Sequence, residues 1–195
     1  LQKWNINDEK KIILMPGRLT SWKGQELFIE AINLVKIELG YEAFHAVILG
    51  NDQGRDLYKK KLIRLKEQYR LTNQIKFIDH CEDMALAYKV SDIIVSASIE
   101  PEAFGRVAVE AQSMEQLIIA SNIGGSNETI NDEKTGFLFK SGDAESLSKK
   151  IIRGLTMDEI SINQIGKEGR SNIIKKFNVE KMCFSTYSEY KRLLN

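Results

Sequence analysis

Apolar residues along this chain recur at two spacings. Short unbroken runs rich in Ile, Val, Leu and Phe occupy residues 11–15, 43–49, 75–78, 93–96, 117–120 and 136–139. They show little in-out alternation, which is how strands read when both sheet faces are covered. Between them the apolar positions recur at helical spacing. Residues 24–39 place Leu27, Ala31, Leu34 and Val35 on one stripe, and residues 57–69 do the same with Leu62, Leu65 and Tyr69. Helices are predicted over 84–90, 105–114 and 144–155 in the same way. Strand-helix alternation predicts an α/β fold. The expected architecture is a Rossmann-like, doubly wound, parallel six-stranded sheet with right-handed crossovers.

Beyond residue 155 the pattern is helical only, and two C-terminal helices are predicted over 158–177 and 179–194. On the last, Met182, Tyr187, Tyr190 and Leu194 fall in loose helical register. That register fits core packing or docking on a further domain. Ahead of the first strand, the opening at Leu1 and the run Gln2-Lys3-Trp4-Asn5 read as a linker, in a fragment of a longer protein. The expected division is a linker over 1–10, a sheet domain over 11–177 and a docking helix over 178–195.

Composition narrows the partners. The net charge of the 195 residues is +1, so no whole-molecule field draws the chain onto nucleic acid, and any anion site must be local. Basic clusters such as Lys59–Lys61 and Lys175-Lys176 read as solvated helix faces. Cys81 and Cys183 stand far apart with no metal-ligand spacing, which suits a reducing compartment and a cytoplasmic setting. No apolar run reaches the roughly 18 residues that a membrane helix needs.

In open parallel sheets, ligands bind beyond the carboxyl ends of the strands. Three loops there carry the chemistry. After the first strand comes Pro16-Gly17-Arg18-Leu19-Thr20-Ser21-Trp22-Lys23-Gly24. Arg18 and Lys23 can clamp a pyrophosphate between two glycines, Arg with a planar fork and Lys as a point charge. After the fourth strand comes Ser98-Ile99-Glu100-Pro101-Glu102-Ala103-Phe104-Gly105-Arg106, opening a helix that bears Glu110. The free N–H groups at a helix start favour phosphate, and Gly105 lets backbone approach a ligand. Glu110 can accept two hydrogen bonds from ribose hydroxyls, and Glu102 can meet sugar hydroxyls. After the fifth strand comes Ile123-Gly124-Gly125-Ser126-Asn127-Glu128-Thr129. Its paired glycines permit a tight turn against a ligand, and Ser126 is expected to cap a short helix. His45 falls in a strand and reads as structural, whereas His80 sits in a loop that could approach a base. The first loop has neither a Walker sequence nor the Gly-x-Gly-x-x-Gly of a dinucleotide site.

The run from Pro101 to Gln112, the pair Gly17-Arg18-Leu19 and Lys23-Gly24, and Gly124-Gly125 with Glu128 and Thr135-Gly136-Phe137 occur in one order. Together they resemble the C-terminal donor-binding domain of family 4 (group 1) glycosyltransferases, which have the two-domain GT-B fold. The resemblance covers roughly residues 11–190. It implies retaining transfer of a sugar from a UDP-, GDP- or ADP-sugar to a glycan or lipid-linked acceptor, with no metal and no other cofactor. Arg18 and Lys23 would bind the diphosphate, Glu110 the ribose, and Glu102 the donor sugar. Gly17, Phe104, Gly105, Arg106, Gly124 and Gly125 would line the same site. The partner would be an N-terminal acceptor domain of the same polypeptide, and any peripheral membrane contact would run through that half. No Asp-x-Asp metal motif occurs in the sequence.

One position departs from the pattern. Met114-Glu115-Gln116-Leu117 stands where the family usually places Gly and, two positions on, Pro. If Glu115 takes the left-handed cap conformation, it costs about 1–2 kcal/mol. That departure keeps a non-catalytic nucleotide-binding domain as an alternative, beside a sugar-nucleotide epimerase of related architecture.

Overall fold

The structure, a computed structural model, describes residues 1–6, 10–40 and 43–194. Six strands form one sheet: β1 (Lys11–Pro16), β2 (Phe44–Leu49), β3 (Ile75–Ile78), β4 (Ile93–Ser96), β5 (Leu117–Ser121) and β6 (Phe137–Phe139). Eight α-helices are described: α1 (Gln25–Leu39), α2 (Asp56–Gln68), α3 (Met84–Lys89), α4 (Arg106–Ser113), α5 (Ser126–Thr129), α6 (Ala144–Thr156), α7 (Glu159–Lys176) and α8 (Val179–Leu194). The strand order is β3-β2-β1-β4-β5-β6, and every neighbouring pair is parallel. The six strands and seven helices foreseen from periodicity are all present.

The two-residue period of a strand sends successive side chains to opposite faces. On one face Ile13, Met15, Phe44, Ala46, Ile48, Val95 and Ile119 pack against Phe28, Ile32 and Val35 of α1 and Leu147 and Ile151 of α6. On the other, Ile12, Leu14, Val47, Leu49, Ile94 and Ile118 meet Ala87 and Tyr88 of α3 and Ala108 and Ala111 of α4. Both faces are therefore dry, which explains the unbroken apolar runs. Leu34, expected on the buried stripe of α1, is exposed, and Phe28 and Ile32 take that role instead.

The chain steps outward from β1 to β3, then crosses back to β4 and steps the other way. Adjacent β1 and β4 thus mark the switch point, where the loops leaving the two strands diverge and open a crevice.

Two terminal features bear on the sequence reading. Trp4 and Ile6, in the segment expected as a linker, are buried against the α3–α4 side of the sheet; residues 7–9 lie outside the described residues. At the other end α8 has no buried residue, and Met182, Phe184, Tyr187, Tyr190 and Leu194 are all exposed. Packing into this domain's own core, one of the two roles considered for α8, is not what the helix does.

Glu115 does take the left-handed conformation, with φ 61°. α7 closes over it. A Cβ at Gly166 would lie 2.3 Å from the Glu115 carbonyl oxygen, so only glycine allows this approach. Arg170 of α7 donates to the carbonyl of Ser113, and its Nε stands 3.7 Å from Glu115 Oε1. The exposed carbonyl end of α4 thus receives a cation, as helix ends favour.

Candidate donor-site groove

The loop after β1 is pinned twice near its start. Gly17 donates to the Leu49 carbonyl at 2.8 Å, and the buried Leu19 donates to the Asn51 carbonyl at 3.1 Å. The loop closes through a short 3-10 turn, Ser21–Lys23, into Gly24 at φ 78°. A Cβ on Gly24 would fall 2.0 Å from the Ala97 carbonyl oxygen, so this glycine is what lets the loop reach the segment leaving β4. Ile99 N–H donates to the Trp22 carbonyl at 2.8 Å and locks the two loops together.

That lock brings two of the foreseen residues into contact. Lys23 Nζ lies 2.8 Å from Glu102 Oε1, and Ser98 Oγ donates to the same oxygen. The ammonium also lies 4.5 Å from the centroid of the Trp22 ring. Only 14% of the Lys23 side chain and 19% of the Glu102 side chain are exposed, so the pair is shielded better than a surface ion pair. Arg18 is held differently. Its carbonyl accepts from Gln25 Nε2 at 2.8 Å, and the Tyr58 hydroxyl in turn donates to Gln25 Oε1 at 3.2 Å. Gln25 is buried, so the backbone is fixed while the guanidinium stays exposed.

α4 starts at Gly105, whose φ of 74° sets its N-cap, and Arg106 opens the first turn. About one turn on, Glu110 Oε2 accepts from the Tyr88 hydroxyl of α3 at 2.7 Å. Tyr88 is 2% exposed. Burial, then the hydrogen bond to Glu110, push the phenol well above its ordinary pKa, so it remains the donor. Gly17, Tyr88, Arg106 and Glu110 line one groove of about 560 Å³, with Met84 and Met114 among its apolar walls. The β1 loop and the helix carrying Glu110 therefore share a single rim. Lys23 and Glu102 sit at the β1–β4 switch on that rim, and Arg18 and Arg106 add two exposed cations to it.

The paired glycines have a structural reason beside the ligand contact expected of them. A Cβ at Gly124 would lie 2.6 Å from the Glu102 carbonyl oxygen, and one at Gly125 would lie 2.6 Å from the Phe104 carbonyl. Gly125 N–H donates to the Glu102 carbonyl at 2.8 Å. The tight turn is thus made against the 101–104 backbone, and it braces the loop bearing Glu102. Ser126 is not the cap: Gly125 holds the N-cap position and Ser126 is the first residue of α5. Phe104 stands half exposed, its ring edge-on to Phe177 with centroids 5.4 Å apart. His80 is exposed and lines another groove, with Trp4 and Leu86. His45 sits on β2, as its strand pattern implied. Among the described residues no three His, Cys, Asp or Glu side chains are grouped to hold a metal ion.

Sequence reasoning missed Tyr88, Ser98 and Gln25. A signal existed for the first. A tyrosine on the inward stripe of a short helix carries a hydroxyl that must find a partner.

Comparison with known proteins identifies the fold and the family. The sequence matches the family of glycosyl transferases group 1 over residues 1–172. A glycosyltransferase structure from Rickettsia africae superposes with a TM-score of 0.92 at 35% identity, covering 100% of this chain and 50% of that one. The trehalose synthase of Pyrococcus horikoshii is 29% identical over 187 residues, 93% of this chain and 44% of that protein. HepE of Anabaena, solved with UDP and glucose, shares the fold with a TM-score of 0.85 at 24% identity, over 94% of this chain and 48% of that one. The chain thus spans about half the length of these three relatives. A six-stranded parallel sheet, a groove at its switch point and a family match across most of the sequence lead to one conclusion: the chain belongs to the group 1 glycosyl transferases.

Proposed function

We propose that this chain supplies the donor site of a retaining, metal-independent glycosyltransferase of family 4. The donor is a nucleoside-diphosphate sugar carrying UDP, GDP or ADP, and the acceptor is a glycan or a lipid-linked glycan. The observation that carries the proposal is the convergence of the Gly17–Gly24 loop, the Glu102 loop and the Glu110 helix on one rim.

The chemistry follows from charge. Cleaving the glycosyl–phosphate bond leaves negative charge on the departing diphosphate. Cations held in place before the reaction stabilise that charge without reorganisation. Arg18 and Lys23 take this role here, where other transferases use a divalent ion. Glu102 orients the donor sugar, and the backbone of Phe104, Gly105 and Arg106 at the start of α4 meets sugar and phosphate. Glu110 binds the ribose, and Gly17 leaves room for the diphosphate. Gly124 and Gly125 contribute by holding the Glu102 loop.

An N-terminal acceptor domain of the same polypeptide completes the site and covers the exposed face of α8. The whole protein works in the cytoplasm, and contact with the inner face of the membrane is made through that other half.

Calorimetric titration of UDP, GDP and ADP into the folded chain tests the donor assignment. Saturable binding of at least one is expected. A folded sample that binds none of them at millimolar concentration overturns it. In the full-length protein, an α-linked product from an α-linked donor, formed in EDTA, is expected. An inverted product, or activity lost to the chelator, removes the retaining or the metal-independent part.

A further inference from the structure

We propose that Tyr88 is the positioning residue for Glu110, fixing the carboxylate in the groove before any nucleotide arrives. This rests on the nucleoside-diphosphate reading above, and deepens it.

Tyr88 is rigidly placed. α3 is N-capped by Asp83, whose Oδ1 accepts from Leu86 N–H at 2.9 Å. At its other end Ser91 Oγ donates to the Ala87 carbonyl at 2.8 Å, and Ser91 N–H donates to the Tyr88 carbonyl at 3.1 Å. The ring is buried beneath the sheet's second face. Only the hydroxyl has work left to do, and it donates to Glu110 Oε2. An ionised carboxylate is acceptor-only, so the direction of this bond is settled by chemistry. Tyr88 occupies one oxygen and leaves Oε1 for a ligand.

A glutamate on an open groove wall would otherwise sample several rotamers, and binding would have to freeze it. Ordering it in advance lowers the cost of recognition. α3 and α4 are separated in the chain by β4 and the Glu102 loop, and their two side chains meet at the groove that Gly17 also lines. A tyrosine serving only to fill the core could be phenylalanine; this one ends in a bond to the residue assigned to the ribose.

A double-mutant cycle of Tyr88→Phe and Glu110→Ala tests this by calorimetry. The probes are whichever of UDP, GDP and ADP binds tightest, its 2′,3′-dideoxy analogue, and inorganic pyrophosphate. Tyr88→Phe is expected to weaken the nucleoside diphosphate about tenfold, the loss of one hydrogen bond to a charged group. It should leave the dideoxy analogue and pyrophosphate unchanged. In the Glu110→Ala background it should cost nothing further. Weakening that extends equally to pyrophosphate, or that persists without Glu110, makes Tyr88 merely structural and overturns the proposal, as does no weakening at all. If the unmodified chain binds pyrophosphate but no nucleotide, the donor assignment itself fails. If it binds nucleotide and Tyr88→Phe binds equally well, only the role of Tyr88 fails. The cycle compares affinities of folded protein, so a modest loss of stability in either variant leaves it decisive.

Discussion

Lys23 Nζ and Glu102 Oε1 are 2.8 Å apart, so with no donor present the cation that should meet the diphosphate is neutralised by the acid that should meet the sugar. Binding must exchange one partner for another. Removing the acid should therefore help a ligand that has no sugar. Glu102→Gln keeps an acceptor for Ser98 but removes the competing charge. It is expected to tighten inorganic pyrophosphate several-fold, read by calorimetry, since each about 1.4 kcal/mol is worth tenfold. Unchanged or weaker binding would show that Glu102 does not restrain Lys23.

The two cations should separate in their effect on stability. Arg18→Ala and Lys23→Ala should each weaken nucleoside diphosphate by roughly 10- to 150-fold, from about 1.5–3 kcal/mol per charged hydrogen bond. Arg18 is exposed, and its carbonyl bond to Gln25 survives the substitution, so Tm should stay within about 1 °C. Lys23 is shielded and paired, and its loss leaves a poorly solvated carboxylate. A cost of about 1–2 kcal/mol, or roughly 2–8 °C in Tm, is expected there. Differential scanning calorimetry beside the titrations separates the two. A large Tm loss in Arg18→Ala would make that arginine structural.

Glu115 and Gly166 supply a pair with opposite signs. Glu115 holds φ 61°, a conformation that costs a non-glycine residue about 1–2 kcal/mol, partly offset by the greater backbone entropy a glycine loses on folding. Glu115→Gly is expected to stabilise by about 0.5–1 kcal/mol and raise Tm by a few degrees. Gly166→Ala would gain about 1 kcal/mol in an exposed helix. Here the added Cβ would meet the Glu115 carbonyl oxygen at 2.3 Å, and overpacking costs typically about 1–3 kcal/mol. Thermal melts should show the first variant up and the second down. A rise in Gly166→Ala would mean α7 does not seat on the end of α4.

Much of this was legible in the sequence because both-face burial writes itself as unbroken apolar runs, such as Ile12–Met15 and Ile93–Val95. The switch point and the rim then follow from topology, and Arg18, Lys23, Glu102 and Glu110 from the loops on that rim. What escaped depends on which side chain meets which. Nothing in the spacing of Tyr88 and Glu110, 22 residues apart, says that their side chains meet. Ser98 looked like one more loop serine until Glu102 folded back onto it. Gly124 and Gly125 read as a tight turn, but only Gly124, at φ 55°, uses a glycine's conformational freedom; Gly125 is right-handed at φ −59° and is glycine because a Cβ there would strike the Phe104 backbone. Trp4 and Ile6 lie ahead of any periodic segment, so their burial left no pattern to read.

Tyr88 also sets a pH signature. Its folded pKa is raised above the ordinary 10.0, first by burial and then by the bond to Glu110. In the unfolded chain the phenol ionises near 10, while in the folded chain it does not. The stabilising contribution is therefore complete below pH 10 and is lost as pH rises beyond it, by up to about 1.4 kcal/mol per pH unit. Tyr58 is raised in the same direction, by burial and then Glu26, so the whole protein should weaken on this limb. Tyr88→Phe removes one of the two. Its stability relative to the unmodified chain, from urea titrations, should be flat between pH 7 and about 9.5 and then shift in favour of the variant by about pH 11. A difference that stays flat through pH 11 would mean the hydroxyl ionises as freely when folded as when unfolded, which a phenol buried against a carboxylate cannot do.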